Sequence, residues 1–529
     1  MSEIDYWKQQ LANGKVGRRE FIGRAAALGL TTALATTLAG KIASASPKRG
    51  GYLRVALGSG ATTDTLDPAT YPDSFNGMVG WGSLGNGLTE VDANGEIQPD
   101  LAESMEPSDG AKTWVFTLRK GLTFHNGKTV TPEDVIASFR HHMGKDSKSA
   151  AKSILEPITD IKADGKDKVV FTLSAGSTDF PYLTSDYHLP IMPAKDGDVD
   201  WQSGIRTGPF VLEQFEPGVR AKMKRFANYH KSGQPYVDEC EVLSIIDVTA
   251  RTNALVTGDV HYIDRCDLKT LGLLQRNKNI KILEVTGYGH YVFPMLTNVA
   301  PFNDNNVRLA LKYALDRDDI LKKVFLGHGT VGNDNPIAPS IKYAINPEPI
   351  HKYDPDKAKF YLKKAGLSTL KVDLSAADAA FAGALDAAVL FKAHAARAGI
   401  DINVIREPND GYWDNVWMKK PWCASYWNGR PTCDWMFTTA YAADAAWNDT
   451  AWKNPRFNEL LLQARSAPDG KERAAMYAEM QQLLHDDGGV VVLVFNAYVD
   501  AYSDKLDHGA VASNLEDDGL KLPARWWFA

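Results

Sequence analysis

The chain has 529 residues, 44% of them hydrophobic, and sets 59 Lys and Arg against 65 Asp and Glu for a formal net charge of −6. At this length that content supports two or more lobes, each with its own core. The mild acidity, with basic residues scattered and not clustered, excludes nucleic acid or an anionic membrane as the partner.

In chain order, the first feature is an export signal. Arg18 and Arg19 stand in GRREFIGR, followed by a mildly apolar stretch from Ala25 to Gly40 and the small-residue triplet Ala43, Ser44, Ala45. That order reads as a twin-arginine signal over residues 1–45, cleaved after Ala45. The stretch is too short, and too rich in Thr and Gly, to anchor the chain in a bilayer. No Cys follows it to carry a lipid.

Tyr52 to Leu57 reads as the first strand, and the long polar loop after it is a natural place for ligand contacts. Leu84 to Leu88 opens a packed helix or strand. The block from Leu88 to Phe139 is the most patterned part of the chain. A Gly-containing turn at Asp92 to Gly95 precedes a short helix, Pro99 to Ser104, and a turn at Ser108 to Gly110. In Thr113 to Leu118 the residues Trp114, Phe116 and Leu118 alternate with Thr113, Val115 and Thr117, the period of a half-buried strand. The next helix has Thr131 as N-cap, Pro132 at its first position, and Glu133 and Asp134 at the positive end of its dipole.

Val169 to Leu173 reads as a strand. Val242 to Ile246, a helix through Ala250 to Val256 and a strand His261 to Asp264 form a βαβ unit, which predicts a partly parallel sheet. From about Lys281 a second lobe begins. Its helices are Val307 to Ala314, Asp356 to Ala365 and Gly383 to Ala398, and strands Lys371 to Leu374 and Asp401 to Ile405 flank the last of these. The apolar run Val490 to Phe495 reads as a buried strand returning to the first lobe. Two such crossings make a hinge.

Seven of the thirteen tryptophans fall between Trp413 and Trp452. Large flat faces with a polar edge suit the wall of a ligand cleft, and the same density also suits a lobe core. The four cysteines match no zinc or CxxC motif. Cys423 and Cys433 could close a short loop, and free buried thiols are the equal alternative. His141 and His142 occupy successive helix positions that do not face each other, which argues against a metal pair. The sequence has no HExxH, GxSxG or GxxxxGK(S/T), and no GxGxxG in a strand-turn-helix context.

The run LTEVDANGEIQPDLAESMEPSDGAKTWVFTLRKGLTFHNGKTVTPEDVIASF, from Leu88 to Phe139, resembles the signature of family 5 extracytoplasmic solute-binding proteins. The likeness continues through TGPF at Thr207 to Phe210 and FNDNNVRLALKYALDRDDI at Phe302 to Ile320. It implies an α/β, two-lobed periplasmic binding protein fold of type II, of the large cluster with an extra subdomain. The expected divisions are lobe I at 46–280 with the subdomain at about 101–200, lobe II at 281–490, and a C-terminal return to lobe I at 491–529. It further implies a monomeric periplasmic receptor, not an enzyme, with no cofactor, metal or catalytic residue. Such a receptor takes a peptide or small molecule to ABC permease subunits with cytoplasmic ATPases. Oligosaccharide or metal-chelate binding, or a secreted hydrolase using Asp and Glu, are the alternatives.

By the same resemblance the ligand loop of the first lobe corresponds to Tyr71, Asp73, Ser74 and Phe75, and the hinge side contributes Tyr288 and His290. In peptide receptors of the family a turn corresponding to Trp427, Asn428 and Arg430 supplies an aspartate for the ligand's amino terminus. Asp434 is one candidate, while a gapless reading puts Arg430 there. Dipeptide receptors carry an arginine early in the helix corresponding to Gly383 to Ala398, where this chain has Asp386. Together with Trp413, these are the expected ligand-binding residues. The two charge reversals point away from ordinary dipeptides and toward an opine or amino sugar conjugate.

Overall fold

The computed structural model describes residues 23–25, 28, 47–144, 147, 149–408, 412–445 and 447–529. The expected signal at 1–45 therefore lies, but for four residues, outside the described residues. Among those described, no helix is long and apolar enough to cross a membrane.

One nine-stranded sheet runs through the molecule. Its centre is the strand Tyr52–Leu57, parallel to Glu239–Ser244 on one side and to Tyr262–Ile263 on the other. Leu53, Val55, Ala56 and Leu57 are fully buried, as expected for a parallel strand covered on both faces. Glu239–Ser244, the helix Val248–Thr257 and Tyr262–Ile263 form the expected crossover, with Asp247 capping the helix at Ala250 N (2.7 Å) and Gly258 closing it at a φ of 82°. The antiparallel hairpin of Phe210–Glu216 and Arg220–Arg225 extends the first-lobe side.

The block beginning at Leu88 builds a four-stranded antiparallel sheet in the order Ala102–Ser108, Thr113–Leu118, Lys168–Leu173, Ile158–Asp164. The helix Pro132–His142 packs on it, and Asp134 Oδ2 accepts from Thr131 N at 2.9 Å. The helix expected at Pro99 to Ser104 is not formed; residues there belong to strands Ile97–Pro99 and Ala102–Ser108. Tertiary charge overrides local propensity. Asp100, fully buried, meets His230 (2.9 Å), Lys231 (3.0 Å) and Lys521 (3.3 Å), and the strand after it pairs with Thr113–Leu118.

Two long antiparallel strands, Ile280–Pro294 and Val490–Ser503, lie side by side across the sheet. The strand read as ending at Phe495 continues to Ser503. The pairing runs from Ile280 opposite Ser503 to Thr286 opposite Ala497, then resumes at His290 opposite Phe495, so Gly287, Tyr288 and Gly289 face Asn496 alone. A Cβ on Gly287 would lie 2.7 Å from the Tyr498 ring, and one on Gly289 2.6 Å from Asn496 Oδ1. Glycine on either side of Tyr288 avoids both contacts. Beyond it the second lobe holds Ser425–Trp427 on the outer edge of Ile280–Pro294 and a parallel pair, Leu370–Ala376 with Ile400–Arg406, whose crossover helix is Ala384–Ala396.

The C-terminal segment packs back on the first lobe, with Leu506, Leu522 and Trp526 in one core cluster with Leu53, Val55 and Phe75. Asp517, Asp518, Gly519 and Leu520 all have left-handed backbone, with φ of 54°, 58°, 67° and 63°. Three non-glycine residues in that region in succession are held by their surroundings. Tyr262 Oη lies 2.7 Å from Asp500 Oδ2 and 2.9 Å from Asp517 Oδ1. A phenol has one proton to give, so one of the two carboxyls must carry a proton of its own. Burial pushes Asp500 up to about 7 and Asp517 well above the usual carboxylate range. Oxygens of Asp264, Glu516 and Asp517 approach within 4.8 Å of one another, a spacing that also suits a cation. Arg251 Nε lies 3.2 Å from Asp264 Oδ1 and Arg265 Nη2 lies 2.7 Å from Glu516 Oε2, so guanidiniums already supply the counter-charge.

Because the folded chain holds the Asp500 proton more tightly than the unfolded chain, this group's contribution is full below about pH 4 and is lost as pH rises through about 7. Asp500→Asn reproduces the protonated arrangement: its carbonyl accepts from Arg265 N, where Asp500 Oδ1 does so at 3.0 Å, and its amide donates to Tyr262 Oη. In melting curves from pH 5 to pH 8, the variant is expected to lose less stability than the wild type. Parallel curves would place the proton elsewhere.

Candidate functional site

The break in the long strands forms the floor of a cavity of ≈ 600 Å³ that includes Gly289, Asn496 and Tyr498. One wall belongs to the first lobe. Asp73 caps the helix Ser74–Gly77 through Asn76 N (3.2 Å) and holds Gly60 N (3.0 Å), which fixes Ser74 at the rim. Ser74 Oγ donates to Glu516 Oε2 (2.6 Å), and Arg265 Nη2 donates to the same oxygen (2.7 Å) and to Ser74 Oγ (3.1 Å). Asp186 closes another side, its Oδ1 2.7 Å from His188 Nδ1 and 2.9 Å from His188 N.

The opposite wall is aromatic. Trp427 sits opposite His290 in the ladder, so the edge strand Ser425–Trp427 carries the chain directly to the cavity. At Gly429 the backbone crosses so close to Tyr288 that a Cβ would lie 1.9 Å from the Tyr288 Cβ. Thr432 then caps the helix Cys433–Ala440 at Trp435 N (3.2 Å). Arg430, between crossing and cap, is directed into the cavity over the Trp435 ring, 5.8 Å from its centroid. Its Nη1 donates to Asn428 O at 2.8 Å; Nε and Nη2 have no protein acceptor among the described residues. Burial pulls the guanidinium below its usual range.

The tryptophan-rich segment divides between two duties. Trp427, Trp435 and Trp447 line the cavity. Trp417 backs Trp427 and Trp447 with ring centroids at 6.3 and 6.4 Å, and its Nε1 donates to Asp449 Oδ2 (3.1 Å). Trp422 and Trp452 are core residues at 1% and 2% exposure. The side chain of Trp413 lies outside the described residues.

Of the expected binding residues, Asp73, Ser74, Trp427, Asn428 and Arg430 line the cavity. Six others do not, each for a visible reason. Tyr71 is buried, donating to Leu66 O and accepting from Arg206 Nη2, both at 3.2 Å. Phe75 is a core residue of the first lobe. Tyr288 is covered by the Gly429 crossing. His290 is buried against Phe495, and burial pulls it down to about 4, so it is neutral. Asp434 is committed to Arg465 at 3.1 Å. Asp386 is exposed on its helix, outside the lining. The proposed exchange of charged sites therefore retains only its Arg430 half.

Sequence reasoning missed Asp186, Arg265, Tyr426, Asn496 and Glu516. Asn496 had a signal, since it is the first polar residue after the apolar run from Val490 to Phe495. The four cysteines are free and buried.

Residues 96–449 match the model of "Bacterial extracellular solute-binding proteins, family 5 Middle". The dipeptide-binding protein of Escherichia coli K12 is 26% identical over 439 residues, covering 75% of this chain and 81% of the relative. The glutathione-binding protein GsiB of Shigella dysenteriae is 26% identical over 474 residues, covering 85% and 90%. Among solved structures, HbpA2 from Haemophilus parasuis superposes with a TM-score of 0.80 at 19% identity, covering 89% of this chain and 99% of that one. AgaA of A. tumefacien R10, solved with agropinic acid, gives 0.71 at 24%, covering 90% and 99%. The family match spans well over half of the chain, and its two-lobed fold is the one described above: this chain belongs to the family 5 bacterial extracellular solute-binding proteins, which are binding proteins and not enzymes.

Proposed function

We propose that the chain captures a peptide-like or opine-like small zwitterionic solute in this cavity and delivers it to the permease subunits of an ABC importer, whose cytoplasmic ATPases supply the energy. The observation that carries this reading is the position of the cavity. It draws walls from both lobes and its floor from the two strands that connect them, so a solute contacting both walls stabilises the closed arrangement over the open one. Relatives at 26% identity named for dipeptide and glutathione binding support a small peptide-like solute. The aromatic wall favours an oligosaccharide as the second reading, since indole and phenol faces stack on sugar rings.

In this reading the protein acts as a monomer in the periplasm after twin-arginine export. Replacing Arg18 and Arg19 with Lys is expected to leave unprocessed chain in the cytoplasm on cell fractionation; normal processing of that variant would reject the route.

The receptor role is tested with purified chain beginning at Ser46, screened by thermal shift against dipeptides, opines, sugars and metal chelates. A solute present at 100 times its Kd adds about 2.7 kcal/mol of stability and raises the Tm by a few degrees. It is expected to be recovered chemically intact by mass spectrometry. Conversion to a product would overturn the reading.

A further inference from the structure

The charges around the cavity do not balance within the protein. Glu516 is taken up by Arg265 and Ser74, Asp186 by His188, and Asp73 by two backbone N–H groups. Arg430 has no carboxylate within ion-pair distance among the described residues, Asp186 acting on it only from farther off, and two edges of its fork, Nε and Nη2, remain without a protein acceptor among those residues. A half-buried guanidinium without a counter-charge is costly, and two parallel N–H groups match the two oxygens of a carboxylate. On the first-lobe wall Asn514 Oδ1 is a buried acceptor without a donor, suited to a hydroxyl or N–H from a solute. Among the described residues each carboxylate lining the cavity already accepts hydrogen bonds, Glu516 from Arg265 and Ser74, Asp186 from His188, and Asp73 from backbone N–H groups alone.

We propose that Arg430 is the specificity-determining residue and that the solute is a carboxylate on a hydroxylated, ring-bearing body without a free ammonium, a sugar acid or an N-blocked amino-acid derivative. This rests on the cavity being the solute site, as argued above, and departs from the zwitterion of that reading by replacing it with an anion. The acid sits on the Arg430 fork, the ring lies against the Trp427, Trp435 and Trp447 wall, and a hydroxyl reaches Asn514. A free peptide would bring an ammonium that finds only acids already engaged.

The test is titration calorimetry of chain beginning at Ser46 with glucuronate and galacturonate, the matching neutral sugars, glucose 6-phosphate, an unblocked dipeptide and its N-acetyl form, on wild type, Arg430→Gln and Arg430→Lys. The carboxylates and the N-acetyl dipeptide are expected to bind, and the neutral sugars and unblocked dipeptide to bind more weakly. Arg430→Gln should weaken carboxylate binding about 100-fold, with partial rescue by Arg430→Lys, which keeps the charge and loses the fork. The unliganded Tm of Arg430→Gln should stand at or above that of the wild type, which separates lost binding from lost folding. Equal carboxylate affinity in wild type and Arg430→Gln, preference for the unblocked dipeptide, or preference for the sugar phosphate would each overturn the inference while leaving the receptor reading in place. Failure of every solute class to bind the wild type would remove both.

Discussion

The antiparallel ladder of Ile280–Pro294 with Val490–Ser503 is the constraint on which the rest depends. It is continuous enough to hold two lobes to one sheet, and its widest interruption is where Gly287 to Gly289 face Asn496, with a smaller shift of register between Tyr291 and Val292. At Gly287 and Gly289 a Cβ would meet the Tyr498 ring and the Asn496 amide, and the two glycines on either side of Tyr288 leave the backbone there conformationally free. The same interruption leaves Asn496 and Tyr498 on the cavity floor. Under the proposed function, hinge and cavity floor are one feature: the residues about which the lobes would move are also those over which a solute would lie.

The charged groups divide by whether they are paired. Asp100 and Glu90 are buried against Lys231 and Lys521, which hold Glu90 down to about 2 despite its burial. In the second lobe Asp334 is buried between Arg317 and His351, both at 2.7 Å. Such pairs fix geometry, since breaking either partner strands a buried charge. Near the hinge, Tyr262 shares its hydroxyl between Asp500 and Asp517 and ties the C-terminal segment to the first lobe. Against this background an unpaired Arg430 facing the cavity is conspicuous, and its pairing is the step left for a solute to complete.

Much of the fold was legible because its signals are local. The alternation in Thr113 to Leu118, the cap at Thr131 and the crossover from Glu239 to Ile263 depend on neighbours a few residues apart. Pro99 to Ser104 misled because Asp100 and the strand after it answer to Lys231, Lys521 and Thr113–Leu118, none of which a local window weighs. The binding site was half legible. Asp73, Ser74, Trp427, Asn428 and Arg430 follow from family resemblance, whereas Tyr71, Phe75 and Asp434 are drawn away by Arg206, the first-lobe core and Arg465. The carboxyl cluster assembled from Asp264, Glu516 and Asp517 leaves no mark in sequence, because its members meet only once the C-terminal segment has returned to the first lobe.

The central claim is that a solute held between the walls closes the lobes about the break at Gly287 to Gly289. Small-angle X-ray scattering of the purified chain, titrated with any solute that raises its melting temperature, tests it most directly. The account predicts a smaller radius of gyration whose dependence on solute concentration follows the binding isotherm. A radius that stays constant through saturation would contradict closure about this hinge.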